Sequence, residues 1–464
     1  MTRSDLVVIG AGPAGMAAAA QAAELGLSVI VLDEQPRAGG QIYRDVDRVA
    51  PLRGDMLGAD YTHGATLTAG LQHGAITHVN GAVVWAIEDQ FRISYTVNGR
   101  GAQIDADRLL LATGALERPM PLPGWTLPGV MTAGAGQILL KQSGVLARNA
   151  VLVGSGPLLY LIAAQMVRAG TPPKAMIETQ SRSDIAGTAR HLGGALRGWR
   201  YLVKGLKMLA SITRVGVPRH TGATDIAIEG TDKAQAVTFK RNGRSHRIAC
   251  DTVFLHHGVV PNTQAARSLN IAHTWDAAQR CFIPQLDSWG QSDKSGVFIA
   301  GDGAGIGGAR AAEFAGTIAA LQIAFEAQRL TREDRDRRAA APRAKLAHEL
   351  AVRPFLDAAY PPYAQALLPH DATIICRCEE ITAGDIRSYA GLGCIGPNQT
   401  KAFGRAGMGP CQGRYCGLGV TAILVDATGQ TPDETGYYRI RPPLKPVTLG
   451  ELAGMDISAP DAAE

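Results

Sequence analysis

Aromatic side chains are scarce in this chain, at 5% of 464 residues. A large charge of one sign is also missing: 46 Lys and Arg against 41 Asp and Glu leave +5. Lys and Arg read as scattered, with one local cluster from Arg332 to Arg343 in which Glu333, Asp334 and Asp336 are interleaved. That stretch reads as a solvated helix face or linker, which argues against nucleic acid as a partner. The apolar, Ala-rich segment from Ala14 to Leu25 has 12 residues, and a helix needs about 20 to span a bilayer, so no transmembrane segment is expected. No secretory leader is expected either, because a strand-like run, Leu6-Val7-Val8-Ile9, begins almost at once. Of 7 cysteines, four stand in two close pairs near the C-terminus, unlike a secreted disulfide framework. A reducing cytoplasm is the expected compartment.

Glycine, by contrast, is plentiful, with 55 residues. Tight backbone approaches of the kind nucleotide loops require draw on that supply. The length suits roughly two to four domains. Leu6 to Ile9, a small-residue helix to Leu25 and a buried strand from Ser28 to Leu32 make a βαβ unit. A second unit runs through Val151 to Val153, the helix Leu158 to Arg168, and Lys174 to Ile177. Asn242-Gly243 between Ala236 to Lys240 and Ser245 to Ile248 predicts a hairpin. From about Leu330 to Tyr360 the chain reads as charged helix ended by Pro361-Pro362, and the proline-bearing tail reads as an extended segment.

Gly10-Ala11-Gly12-Pro13-Ala14-Gly15 is G-x-G-x-x-G between strand and helix. Its first glycine allows the turn, the second lets a pyrophosphate reach the backbone, and the third lets the helix sit close. Asp33-Glu34 ends the next strand, where a carboxylate would accept hydrogen bonds from an adenosine ribose. Beyond it come Gly39-Gly40-Gln41, the strand Leu110-Leu111-Ala112-Thr113-Gly114, and Val297-Phe298-Ile299-Ala300-Gly301-Asp302. In this order the pieces resemble the two-dinucleotide-binding-domain flavoproteins, the group of glutathione and thioredoxin reductases. The resemblance implies FAD, held by Gly10, Gly12, Pro13, Ala14, Gly15, Asp33, Glu34, Gly40, Gln41, Thr113, Gly114 and Gly301. It gives Asp302 the ribityl and pyrophosphate region.

In the second unit, Gly154-Ser155-Gly156-Pro157-Leu158-Leu159 has Leu159 at the third glycine position. Leu159 is expected to disturb a pyrophosphate, although Glu178 could still bind a ribose hydroxyl. With no Cys near Gly40 and no C-x-x-C in this unit, the redox disulfide of the thiol reductases is absent.

Cys376-Arg377-Cys378 and Cys411-Gln412-Gly413-Arg414-Tyr415-Cys416 place four thiols in one small module. Thiolates so concentrated need a multivalent partner. Helix starts at Thr382 and after Pro410 would stabilise their charge. Structural zinc usually takes C-x-x-C rather than C-x-C, and zinc stays an alternative. The arrangement resembles the bacterioferritin-associated-ferredoxin-like module, which implies a [2Fe–2S] cluster on Cys376, Cys378, Cys411 and Cys416. That family usually ends in C-x-x-C, whereas four residues separate Cys411 from Cys416 here. Cys394 reads as a buried thiol, and Cys250 and Cys281 as packing residues.

The run from Gly396-Pro397-Asn398-Gln399-Thr400-Lys401 to Gly409-Pro410-Cys411, with Arg439-Ile440-Arg441-Pro442-Pro443, extends the resemblance over essentially the whole chain. It resembles the A (alpha) subunit of octopine and nopaline oxidases, hydrogen cyanide synthase and D-hydroxyproline dehydrogenase. The family implies an α/β fold in which an FAD-binding Rossmann-like domain is interrupted by an NAD(P)-binding-like one. The expected division is 1–117 and 266–329 for the FAD domain, 118–265 for the insertion and 330–370 for a helical linker. The [2Fe–2S] module then covers 371–430 and the tail 431–464. The family also implies a glycine/D-amino-acid-oxidase-like B (beta) subunit that oxidises a secondary amine or amino acid to an imine. Some relatives add an FMN at a subunit interface and a small ferredoxin-like third subunit. The electron acceptor would be a quinone or similar, with contact to the inner membrane face made through the complex. No obvious His–carboxylate pair can be assigned to substrate chemistry, so no catalytic acid or base is named. A self-sufficient NAD(P)H-dependent reductase is the alternative.

Overall fold

The computed structural model describes residues 2–455; the end of the predicted extended tail, 456–464, lies outside the described residues. Leu6–Ile9 forms a strand buried at every position, as a run apolar on both faces must be inside a parallel sheet. Its sheet has five parallel strands in the order Val297–Ile299, Leu109–Leu111, Leu6–Ile9, Val29–Asp33 and Ile76–Asn80. The helix Pro13–Glu24 lies beside a second helix, Ala309–Glu326. Their axes approach closely because Gly316 has no side chain: a Cβ there would stand 2.1 Å from the carbonyl oxygen of Ala14. A smaller sheet of Thr2–Ser4, Arg100–Ala106, Arg92–Val97 and Val83–Ile87 flanks this layer.

A second five-stranded parallel sheet is ordered Val130–Thr132, Thr252–His256, Ala150–Gly154, Ala175–Glu178 and Arg219–Thr221. Beside it Thr224–Gly230, Ala234–Arg241 and Arg244–Ala249 form an antiparallel sheet. Asn242 and Gly243 make its predicted turn with φ of 49° and 76°, the pair of positive values a type I′ hairpin requires. Ala115–Glu117 and Val259–Pro261 pair antiparallel where the chain leaves and rejoins the first sheet.

The predicted charged helix is two helices, Arg332–Leu350 and Arg353–Ala359. The cysteine-bearing part holds the helices Ala383–Gly391, Pro397–Gly404 and Gly417–Thr428. Thr382 caps the first with a reciprocal box to Asp385, as its sequence predicts. Cys376, Cys416, Val420 and Ile423 belong to the same buried cluster as Val7, Leu111 and Val297. The module therefore shares a core with the first sheet. The tail, expected to be extended, instead carries the short helices Pro432–Thr435 and Leu449–Ala453, each started by a threonine cap. Between them the Leu444 amide donates to the carbonyl of Trp85 in the smaller sheet. Among the described residues no helix is long and apolar enough to cross a membrane.

Candidate functional site

Four strands of the first sheet end in the segments singled out from the sequence: 10–15, 33–34, 113–114 and 301–302. A parallel sheet binds its ligand in the crevice outside these carboxyl ends. Gly10 turns at φ 105°, and a Cβ there would stand 2.5 Å from the Ala112 carbonyl. A Cβ on Gly15 would stand 1.9 Å from the Gly10 carbonyl, so that glycine is what lets helix meet strand. Gly12 differs: its φ is −78°, and a Cβ would meet only the Gly40 Cα, at 3.9 Å. The space before Gly12 is open. Pro13 and Ala14 begin the helix, whose first turn carries no acidic residue, leaving its positive dipole end free for an anion.

The acidic pair divides its work. Asp33 is buried and accepts from the amides of Ala11 at 2.5 Å and Gln35 at 2.7 Å. Burial pushes its pKa up against those two hydrogen bonds. Its oxygens thus hold the loop. Glu34 is the more accessible carboxylate, 2.6 Å from the Lys445 ammonium. Burial opposes its ionisation, but Lys445, then the Gln35 hydrogen bond and the Arg414 charge, hold it below the usual carboxylate range.

Two further residues, which the sequence alone does not single out, stand here. Arg44 is buried, feels the charges of Asp33 and Glu34, and its Nε has no partner among the described residues. Lys141 reaches in from the helix Ala133–Ser143 and donates to the carbonyls of Gln41 (3.0 Å) and Ile42 (2.8 Å) and to Gln137 (2.9 Å). Burial, then the charge of Arg44, pushes its pKa down to about 7. The Gln41 side chain donates to the Ala115 carbonyl at 3.2 Å. Gly40 at φ 59° brings this second turn against Gly12. Thr113 Oγ1 donates to the carbonyl of Asn262 at 3.1 Å, and Gly114 accepts from the Asn262 amide at 2.9 Å. Asp302 accepts from the amides of Gly307 (2.9 Å) and Gly308 (2.8 Å), while Gly301 turns at φ 79° against the start of the first helix.

The second loop is arranged differently. Leu159 is wholly buried among Leu152, Met176 and Phe254. Glu178 is also wholly buried, and its two oxygens accept from Arg219 Nε and Nη2 at 2.9 Å each. The expectation that Glu178 could take a ribose hydroxyl is therefore corrected, because its oxygens are committed to a fork-like pair. The fold also forms two His–carboxylate contacts. His256 Nδ1 lies 2.7 Å from Glu117, and His63 Nε2 lies 3.1 Å from Glu313. These His–carboxylate pairs join residues 139 and 250 positions apart, which hid them from sequence reading. Glu117 also accepts from the Gly134 amide, and Glu313 from Tyr43 and Arg310.

The four thiols gather in two pairs. Cys376, at the end of the strand Ile374–Cys376, hydrogen-bonds Cys416, while Cys378 faces Cys411. Among the described residues no three His, Cys, Asp or Glu side chains converge on a single-ion site. Cys376 is pulled down to about 6 by the Cys416 hydrogen bond and, against burial, by amides of Gly407, Glu379 and Cys378. Cys416 is pushed up by the same hydrogen bond and by burial, so the two thiols titrate as a coupled pair. Cys416 directly precedes the helix Gly417–Thr428 without a side-chain capping bond; the helix starts later than the sequence predicts, because positive φ at Gln412 and Gly413 keeps 410–416 in turns. Cys394 donates to the Gly396 carbonyl, and Cys250 and Cys281 are buried, as expected of packing residues.

Residues 4–326 match the pyridine nucleotide-disulphide oxidoreductase family and residues 371–455 the sarcosine oxidase A3 domain. The A subunit of opine oxidase from Agrobacterium tumefaciens (strain Ach5) is 42% identical, over 98% of this chain and 92% of that protein. The chain belongs to the family of opine oxidase A subunits. Hydrogen cyanide synthase subunit HcnB of Pseudomonas protegens is 32% identical over 97% of both chains. The fold matches the solved L-proline dehydrogenase from P. horikoshii at a TM-score of 0.73 and 18% identity, over 97% of this chain and 79% of that one. This chain thus joins a Rossmann-type flavoprotein oxidoreductase body to a cysteine-bearing C-terminal part, the fold class expected from the sequence.

Proposed function

We propose that this chain is the electron-transferring FAD and [2Fe–2S] subunit of a heteromeric amine dehydrogenase or oxidase. The observation that carries the reading is the convergence of segments 10–15, 33–34, 39–41, 113–114 and 301–302 at one end of one sheet. Open space before Gly12 and the unpartnered Nε of Arg44 fit an anionic dinucleotide. Gly10, Gly12, Pro13, Ala14, Gly15 and Gly40 would cradle FAD, with Arg44 as added donor and Glu34 on its ribose. Asp33 and Asp302 would order the loops around it, and Gln41, Thr113, Gly114 and Gly301 would line it. Two thiol pairs suit two irons, each taking two thiolates, better than one tetrahedral zinc. When bound, the flavin supplies a two-electron carrier and the cluster a one-electron carrier.

The protein's part is to hold the two at a fixed separation. Gln264 Nε2 donates to the Gln412 carbonyl at 3.1 Å, tying the cysteine turns to the segment that contacts Gly114. The division at 118 and 265 belongs to the same proposal. So do a B (beta) subunit that oxidises an opine-, D-hydroxyproline-, proline- or glycine-type donor to an imine, and an FMN at the subunit interface. A quinone acceptor and a ferredoxin-like third subunit complete it.

A second reading, an NAD(P)H-dependent reductase, is favoured by one observation. Ser155 Oγ, Thr179 Oγ1 and Gln180 Oε1 near the second loop are buried without partners among the described residues. Purification of the natively expressed protein with its co-purifying chains, followed by anaerobic spectra with octopine, nopaline, D-hydroxyproline, proline and glycine, separates the two. Bleaching by one of these amines with an oxidase-like partner present supports the proposal. A lone chain bleached by NADH and by no amine contradicts it.

A further inference from the structure

Residues 396–401 and the tail after Gly436 meet on one side chain, Tyr438. It is 1% exposed and belongs to the buried cluster that holds Cys376 and Cys416. Its ring fits a slot between two glycines of the cysteine turns. A Cβ on Gly407 would stand 2.5 Å from its Cζ, and one on Gly413 would stand 2.5 Å from its Cδ2. A side chain at either position would close the slot.

The helix Pro397–Gly404 fixes the ring from the other side. Asn398 brackets its backbone, donating from Nδ2 to the Tyr437 carbonyl at 3.3 Å and accepting the Arg439 amide at 2.9 Å. Lys401 holds its ammonium over the ring face, 5.0 Å from the centroid. Held in this way, the Tyr438 hydroxyl lies 3.8 Å from Cys416 Sγ, within reach of a hydrogen bond to sulfur. The adjacent Tyr437 is tied to the same turns but points elsewhere, its hydroxyl donating to the Gly413 carbonyl at 3.2 Å. One tyrosine therefore anchors the turns and the other touches a sulfur.

An electron added to an iron–sulfur centre puts further negative charge on its sulfurs, so a donor aimed at one of them favours the reduced form. Burial keeps water from screening that bond. A cation over the ring face draws electron density from it and makes the phenol a stronger donor. The other buried sulfur, Cys376, takes its donors from the backbone amides of Gly407, Glu379 and Cys378. Tyr438 supplies a donor that a substitution can remove.

We propose that Tyr438 tunes the reduction potential of the iron–sulfur centre, its hydroxyl donating to the Cys416 sulfur where that sulfur ligates iron. Asn398 and Lys401 are its positioning residues. This role rests on the [2Fe–2S] assignment of the four cysteines and adds the group that sets how readily the centre accepts an electron.

Spectroelectrochemical titration of the purified complex tests it, with iron and zinc counted per chain beforehand. Tyr438→Phe keeps the ring and removes only the hydroxyl. It should retain full iron and make reduction about tenfold less favourable, a fall of about 59 mV for a one-electron couple. Tyr437→Phe loses a bond to a carbonyl and none to sulfur, and should keep the wild-type potential. Lys401→Met should lower the potential by less than Tyr438→Phe does. Full iron at the wild-type potential in Tyr438→Phe would overturn the proposal, as would an equal fall in Tyr437→Phe. Loss of iron from Tyr438→Phe would overturn it too, because the hydroxyl would then hold the site rather than tune it. Zinc, or no metal, in the wild-type chain would instead overturn the [2Fe–2S] assignment itself.

Discussion

The molecule builds the same βαβ turn twice and furnishes it in two ways. In the first, Gly15 lets helix and strand touch, Gly12 faces open space, and Glu34 remains accessible. In the second, Leu159 fills the interior, and Glu178 is sealed against Arg219. A Cβ on Gly156 would lie 3.2 Å from the ring of His256, which is itself fixed by Glu117. A Rossmann turn is thus a scaffold whose binding depends on three features: the third small residue, an accessible acid and empty space at the second glycine.

The strongest way to break the comparison is at Gly12. Its backbone angles are open to any residue, so Gly12→Val should fold and lose essentially all bound FAD, as read by the released flavin per chain. Stoichiometric flavin in the folded variant would remove the first loop from the cofactor site. Next comes Cys378→Ser, which should abolish the cluster's visible absorbance and iron while FAD stays bound; full iron content would refute the ligand set. Arg219→Ala, in the second unit, should destabilise the protein by about 3–5 kcal/mol, since it leaves a buried carboxylate unpaired. Denaturant unfolding that matches wild type would mean Glu178 is not held as described.

The smallest expected effect is a pH dependence. His257 donates from Nε2 to the Pro119 carbonyl at 2.8 Å and accepts the Tyr363 amide on Nδ1 at 3.2 Å. Burial, then the charge of Arg118, pushes its pKa from 6.5 to about 3. Between those values the unfolded chain takes up a proton that the folded chain refuses. The stability held by His257 is therefore complete above pH 6.5 and lost as pH falls toward 3. The gap in unfolding temperature between wild type and His257→Gln should narrow on acidification; a constant gap would contradict the neutral ring.

Local chemistry was legible in the sequence. Apolar runs placed both parallel sheets, glycine spacing placed both loops, Asn242-Gly243 placed the hairpin, and Thr382 placed a cap. Features made by distant residues were not. Nothing in Asp33-Glu34 says which carboxylate meets the loop amides, because that depends on Ala11, 22 positions away. Arg44 and Lys141 look like any surface cation until the fold buries them. Glu178 reads as available until Arg219, 41 positions on, closes over it. The pairing of Cys376 with Cys416 rather than with nearby Cys378 likewise comes from the module's own turns.

The central claim is that the first dinucleotide turn carries the redox cofactor while the second carries none. Anaerobic titration of the purified complex with NADH, followed at the flavin absorbance, tests it most directly. No bleaching by NADH and full bleaching by the amine donor are expected. Rapid stoichiometric bleaching by NADH would show that the second turn works despite Leu159 and Glu178, and would contradict the claim.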